Sequence, residues 1–132
     1  MRERVERELA RLRDGGQPVE LITGSRTVVL YRAVPTAGAP RGLPQDTDVI
    51  VPVPDGYPAA MIDLAGLPAG SPLIPVVRGG MNNQGAVEAD GRQWQLASYH
   101  PHNGGGGPSW DATRHGFDTY FGELVSWLAR LN

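Results

Sequence analysis

Helical periodicity is confined to the two ends of this chain, and everything between them is patterned for strands, turns or loops. Residues 2–14 carry Val5, Leu9 and Leu12 at helical spacing, one narrow apolar stripe on an otherwise charged segment. Glu3 with Arg7, and Glu8 with Arg11, are spaced to pair on its solvated side. Asp14-Gly15-Gly16 then stops the helix. So short a helix is marginal alone, so its stripe is expected to dock on a sheet. At the other end, Phe117, Phe121, Leu124, Leu128 and Leu131 predict a second amphipathic helix over residues 117–131, with Trp127 packed beside the stripe.

Three strand-like runs follow the first helix. Val19–Thr23 is short and apolar, with Gly24-Ser25 as a turn. Residues 26–34 are rich in β-branched and aromatic side chains, as strands are. After a loop over 35–44, residues 48–53 alternate well enough for a third strand, and Pro52 places it at an edge or marks its end. The expected class is therefore α+β, with an N-terminal helix, an antiparallel β-meander, a long loop and a C-terminal helix. Residues 64–77 are apolar but interrupted by Pro68, Pro72 and Pro75, which removes too many donors for a central strand. They read as an extended loop with one short strand near 73–77. Residues 79–91 read as polar and exposed. The 132 residues fit one domain, 1–132, and show no repeats.

Composition excludes several chemistries. The chain has no cysteine, so no thiol serves catalysis, metal binding or a disulfide. All 12 basic residues are arginine, which with 18 Gly and 12 Pro matches a GC-rich coding bias. Whatever the cause, no side-chain amine exists to be acylated. A net charge of -2 without clustered Lys and Arg argues against nucleic acid as the main partner. No apolar run approaches the roughly 20 residues that span a bilayer, so no membrane partner is expected. The charged N-terminus lacks the apolar core of a signal peptide, which points to the cytoplasm.

The densest stretch is 94–111, WQLASYHPHNGGGGPSWD, with His100 and His102 inside it and His115 just beyond. Three readings of these residues stand open. His100-Pro101-His102 spaces two imidazoles toward one strand face, and His115 or Asp111 would complete a Zn or Fe site. Alternatively, an imidazole acts as base for a hydroxyl nucleophile, Ser98 or Ser109, with Asn103 and the N–H groups of residues 104–107 stabilising an oxyanion. In the third reading a histidine merely hydrogen-bonds a turn and the glycine run is a plain loop.

The order of elements and motifs resembles the ubiquitin-conjugating (UBC) superfamily, in particular a bacterial branch encoded beside ubiquitin-like proteins, activating enzymes and JAB-type metalloproteases. The resembling residues are Pro54-Asp-Gly-Tyr-Pro58, like the family's YP motif after the third strand, and Trp94-Gln-Leu-Ala-Ser-Tyr-His100, similar to that branch's W-x5-H. Trp110 and the helix ending at Leu131 complete the layout. The resemblance implies a UBC-like fold, a ubiquitin-like protein and an activating-type enzyme as partners, and no cofactor. It departs from the family where chemistry matters. His100-Pro101-His102-Asn103 only approximates the HPN triplet, and Gly, Pro108 and Ser109 stand where the catalytic cysteine belongs. The resemblance implies either an oxyester carrier or a non-catalytic binding module. In the carrier, Ser98 or Ser109 accepts the ubiquitin-like C-terminus, His100 or His102 is the base, and Asn103 is the oxyanion donor. A small metal-dependent hydrolase built on the three histidines is the remaining alternative.

Overall fold

In the computed structural model, which describes residues 2–78, 85–99, 101 and 109–132, two helices flank a six-stranded antiparallel sheet. Helix α1 spans Arg2–Asp14 and α2 spans Phe117–Leu128. The strands are β1 (Val19–Thr23), β2 (Thr27–Pro35), β3 (Asp46–Pro52), β4 (Leu64–Pro68), β5 (Ala86–Ala89) and β6 (Arg92–Ser98), in the spatial order β1-β2-β3-β4-β6-β5. The α+β class and the helix-then-meander order are as the sequence implies.

The sheet curls until its far edge meets the first hairpin. At the β1–β2 turn, Ser25 N–H donates to Glu88 O at 2.8 Å, and Glu88 N–H donates back to Ser25 Oγ at 3.0 Å. Gly24 permits this approach, because a Cβ there would fall on the Glu88 carbonyl. Curling explains why residues 28–31 and 49–51 are apolar without alternation. A strand covered on both faces needs apolar side chains on both. Val28, Leu30, Ile50, Val87, Ala89, Trp94 and Leu96 fill the inside of the curl. The opposite face, with Val29, Tyr31, Val49, Val51 and Leu67, packs under α1 and α2. Val5 and Leu9 of α1 and Phe117, Tyr120, Leu124 and Leu128 of α2 close that layer, so the stripe of α1 docks as expected.

Four details differ from the sequence reading. The strand in the proline-rich stretch is Leu64–Pro68, not 73–77, because its only proline ends it. Residues Ile74–Val76 form a 3-10 turn instead, with Pro75 inside it and Leu73 and Val77 buried on either side. Within the segment expected to be exposed, Ala86–Ala89 is a strand whose alternate residues Val87 and Ala89 enter the curl. Helix α2 ends at Leu128, and the chain then turns so that Asn132 N–H donates to Val76 O at 2.7 Å. Pro52 is the last residue of β3, a central strand, where its missing donor costs nothing. A bulge in β2 between Tyr31 and Val34 places Ala33 at φ 52°, in the left-handed region.

Candidate functional site

The stretch that carries the candidate chemistry begins at the end of β6 and runs to Trp110, which packs against the core. Ser98 is the last residue of β6 and pairs with Leu64. His100, His102 and Asn103 lie outside the described residues, as do the glycines 104–107. Ser109 is described and exposed, and no described side chain hydrogen-bonds its hydroxyl.

Both ends of the stretch are anchored in the core. Tyr99 stacks on Trp127 at 5.0 Å between ring centroids, and its hydroxyl donates to Glu123 O at 2.9 Å. Burial, reinforced by the nearby Glu123 charge, holds the Tyr99 phenol far above its ordinary value, so it stays protonated and able to donate. Pro101 is buried. At the far end Trp110 Nε1–H donates to Pro58 O at 2.9 Å, and the Trp110 ring lies 6.2 Å from Tyr57. The Asp55–Pro58 turn and the residue after Ser109 are therefore held together by one hydrogen bond and one aromatic contact.

His115 stands apart from any metal-ligand role with Asp111. Its Nδ1 accepts the Asp111 backbone N–H at 2.9 Å, which assigns the imidazole proton to Nε2. The Asp111 carboxylate turns instead to Thr113, accepting from its N–H at 2.9 Å and its hydroxyl at 2.7 Å. These bonds, together with the Arg114 charge, hold Asp111 below the usual carboxylate range. Among the described residues no three His, Asp or Glu side chains group as metal ligands.

The sequence reading missed the most consequential polar residue. Glu8 is not on the solvated side of α1 and does not pair with Arg11; it is only 4% exposed. Its Oε1 accepts from the Tyr57 hydroxyl at 2.6 Å and from Phe117 N–H at 3.0 Å, while Oε2 accepts from Arg4 Nε at 2.7 Å. The carboxylate thus caps the first N–H of α2 from outside the helix, where negative charge is favoured. Gly116 makes room for it, since a Cβ there would lie 2.5 Å from Glu8 Cδ. Burial, then the hydrogen bond to Glu8, pushes the Tyr57 phenol well above its ordinary range. The hydrogen bond to Glu8 likewise raises Arg4. Helical geometry held the missing clue: Glu8 lies three residues after Val5, on the docked face, and four after Arg4. Arg11 pairs with Asp118 of α2 instead, at 3.0 Å.

The chain matches no known family model, and no characterised protein or solved structure resembles it closely enough to be counted as a relative. Among the described residues no helix is long and apolar enough to cross a membrane.

Proposed function

We propose that this chain is a UBC-like component of a ubiquitin-like conjugation pathway, binding a ubiquitin-like protein and carrying it through serine rather than thiol chemistry. The observation that supports this reading is the Trp110–Pro58 tether. It fixes the residue next to the exposed Ser109 against the Tyr57-Pro58 turn, so the backbone that carries that hydroxyl is anchored on one side. In the proposed step the serine oxygen attacks the carbonyl carbon of a ubiquitin-like C-terminus bound as a thioester to an activating enzyme. The hydroxyl proton passes to His100 or His102, the enzyme's thiolate leaves, and an oxyester forms on Ser109 or Ser98. Asn103 is the proposed oxyanion donor.

The alternative is a binding module without chemistry. The Nδ1 lone pair of His115 is taken by Asp111 N–H, so the carrier depends on His100 or His102 as its base. Intact-mass spectrometry separates the two. The protein is incubated with a ubiquitin-like protein, its activating enzyme and ATP, then treated with mild hydroxylamine. A labile adduct that disappears in Ser109→Ala or Ser98→Ala establishes the carrier. A charged activating enzyme with no adduct on this chain removes the carrier reading, and retained binding in both serine variants then leaves the module.

A further inference from the structure

A cleft of about 210 Å³ runs between α1 and the segment that leads into α2, and its walls are crowded with guanidinium groups. Arg4, Arg7 and Arg11 line it from α1 at helical spacing, and Arg114 faces them from the other wall beside His115. Two acids also line it, and both are already engaged. Glu8 is held by Arg4, and Asp118 by Arg11 at 3.0 Å. Arg4 spends a further donor on His115 O at 2.7 Å. That leaves Arg7 and Arg114, both exposed and neither in an ion pair with a described residue, as two uncompensated charges on opposite walls. Asp111 feels the Arg114 charge but forms no ion pair with it.

Arg7, flanked at helical spacing by Arg4 and Arg11, bears a like-charge cost that the pairs Arg4–Glu8 and Arg11–Asp118 relieve only in part. An anion in the cleft reverses that cost. Two free guanidinium forks match a dianion better than a single carboxylate, and arginine's planar donors fit phosphoryl oxygens in pairs. The cleft is smaller than the roughly 300 Å³ at which pockets for whole drug-sized ligands begin, so it suits one anionic head group. The first N–H of α2 is already taken by Glu8, so the site rests on side chains and not on a helix terminus.

We infer that this cleft binds a phosphomonoester dianion through Arg7 and Arg114. The inference is independent of the ubiquitin-like reading above. The chemistry is shared by a free phosphate ester and a phosphorylated side chain. Calorimetric titration of the full chain with inorganic phosphate tests it, at constant ionic strength and about pH 8, above the phosphoryl second pKa of about 6. The expected result is saturable one-to-one binding, weakened about tenfold or more in Arg7→Ala/Arg114→Ala. Arg26→Ala, an exposed arginine on a different cleft, should leave it unchanged. Non-saturating heats, or equal weakening by Arg26→Ala, overturn the site. Parallel titrations with AMP and a phosphoseryl peptide then name the source: the tighter ligand whose binding is lost in the double variant is the one the cleft serves.

Discussion

Replacing Glu8 by glutamine keeps its size and removes its charge, and the structure sets the consequence. Three donors converge on the carboxylate from α1, the Tyr57 turn and the start of α2. A glutamine carbonyl can still accept at one position, but its amide presents hydrogens where Arg4 Nε also presents one. Breaking a buried ion pair from one side costs roughly 3–5 kcal/mol. Arg4 keeps 25% of its side chain in water, so its stranded charge is partly solvated and the low end, about 3 kcal/mol, applies. With an unfolding entropy of about 2.1 cal/mol/K per residue over 132 residues, 1 kcal/mol corresponds to about 3.6 °C, so Glu8→Gln should lower Tm by about 11 °C. Calorimetry and urea unfolding measure this directly, with Glu3→Gln as the exposed control. Tyr57→Phe removes one donor from the same group. In a double-mutant cycle the two should couple by at least about 0.5 kcal/mol. A Glu8→Gln loss below about 1 kcal/mol, or strict additivity with Tyr57→Phe, would refute the claim that this carboxylate joins the three segments.

Further outcomes follow from neighbouring geometry. Gly116→Ala should cost about 2 kcal/mol by urea unfolding, because its Cβ displaces the Glu8 carboxylate, and the cost should shrink in a Glu8→Ala background. Ala33→Gly should raise the urea midpoint, gaining up to about 1 kcal/mol by removing the left-handed strain at φ 52°; a lower midpoint would show that the bulge carries no strain. Burial opposes the charge on Asp48, but the Ala33 N–H at 3.0 Å and Arg92 at 2.8 Å outweigh it and hold its pKa below the usual carboxylate range. Its contribution is therefore complete above the unfolded value of about 3.9 and is lost as pH falls through the lower folded value. Asp48→Asn should flatten the acid limb of the stability–pH curve below about pH 4, and an unchanged limb would assign the loss to other carboxylates.

What was legible in the sequence is what local periodicity encodes. The two helices and the first three strands follow from spacing within single segments, and α1, β1 and β2 fall within a residue or so of their expected bounds. What was not legible depends on partners distant in sequence. Leu64–Pro68 is a strand because β6 lies beside it, with Gly66 opposite Leu96, and the prolines that argued against it fall at or beyond its end. Ala86–Ala89 looks polar and exposed until Val87 and Ala89 enter the curl against Trp94. Glu8 was misplaced for a related reason. Its charge suggests the solvated face, but its spacing from Val5 puts it on the docked face, where a phenol, a guanidinium and a helix N–H meet it. In the candidate site, Trp110 and the Tyr57-Pro58 turn stood out as motifs, but the hydrogen bond that joins them spans 52 residues.

The same carboxylate stands behind both proposed sites. Tyr57 donates to Glu8 on one side and packs toward Trp110 and the serine-bearing stretch on the other. Arg4 donates to Glu8, lies 5.4 Å from the Tyr57 ring and reaches the wall of the arginine cleft at His115 O. A variant at Glu8 therefore perturbs both places and assigns neither. Variants that touch one side alone carry the discrimination. Arg7 and Arg114 are exposed and outside this network, so their removal tests the anion cleft without loosening the Tyr57 turn. Trp110→Phe removes the donor to Pro58 O and also trims a ring that lies 5.7 Å from His115 in the cleft wall, so it should weaken whatever depends on a fixed Ser109 while changing phosphate binding far less than Arg7→Ala/Arg114→Ala does. A loss of phosphate binding in Trp110→Phe as large as in the double arginine variant would mean that the Trp110–His115 contact makes the two sites one connected surface.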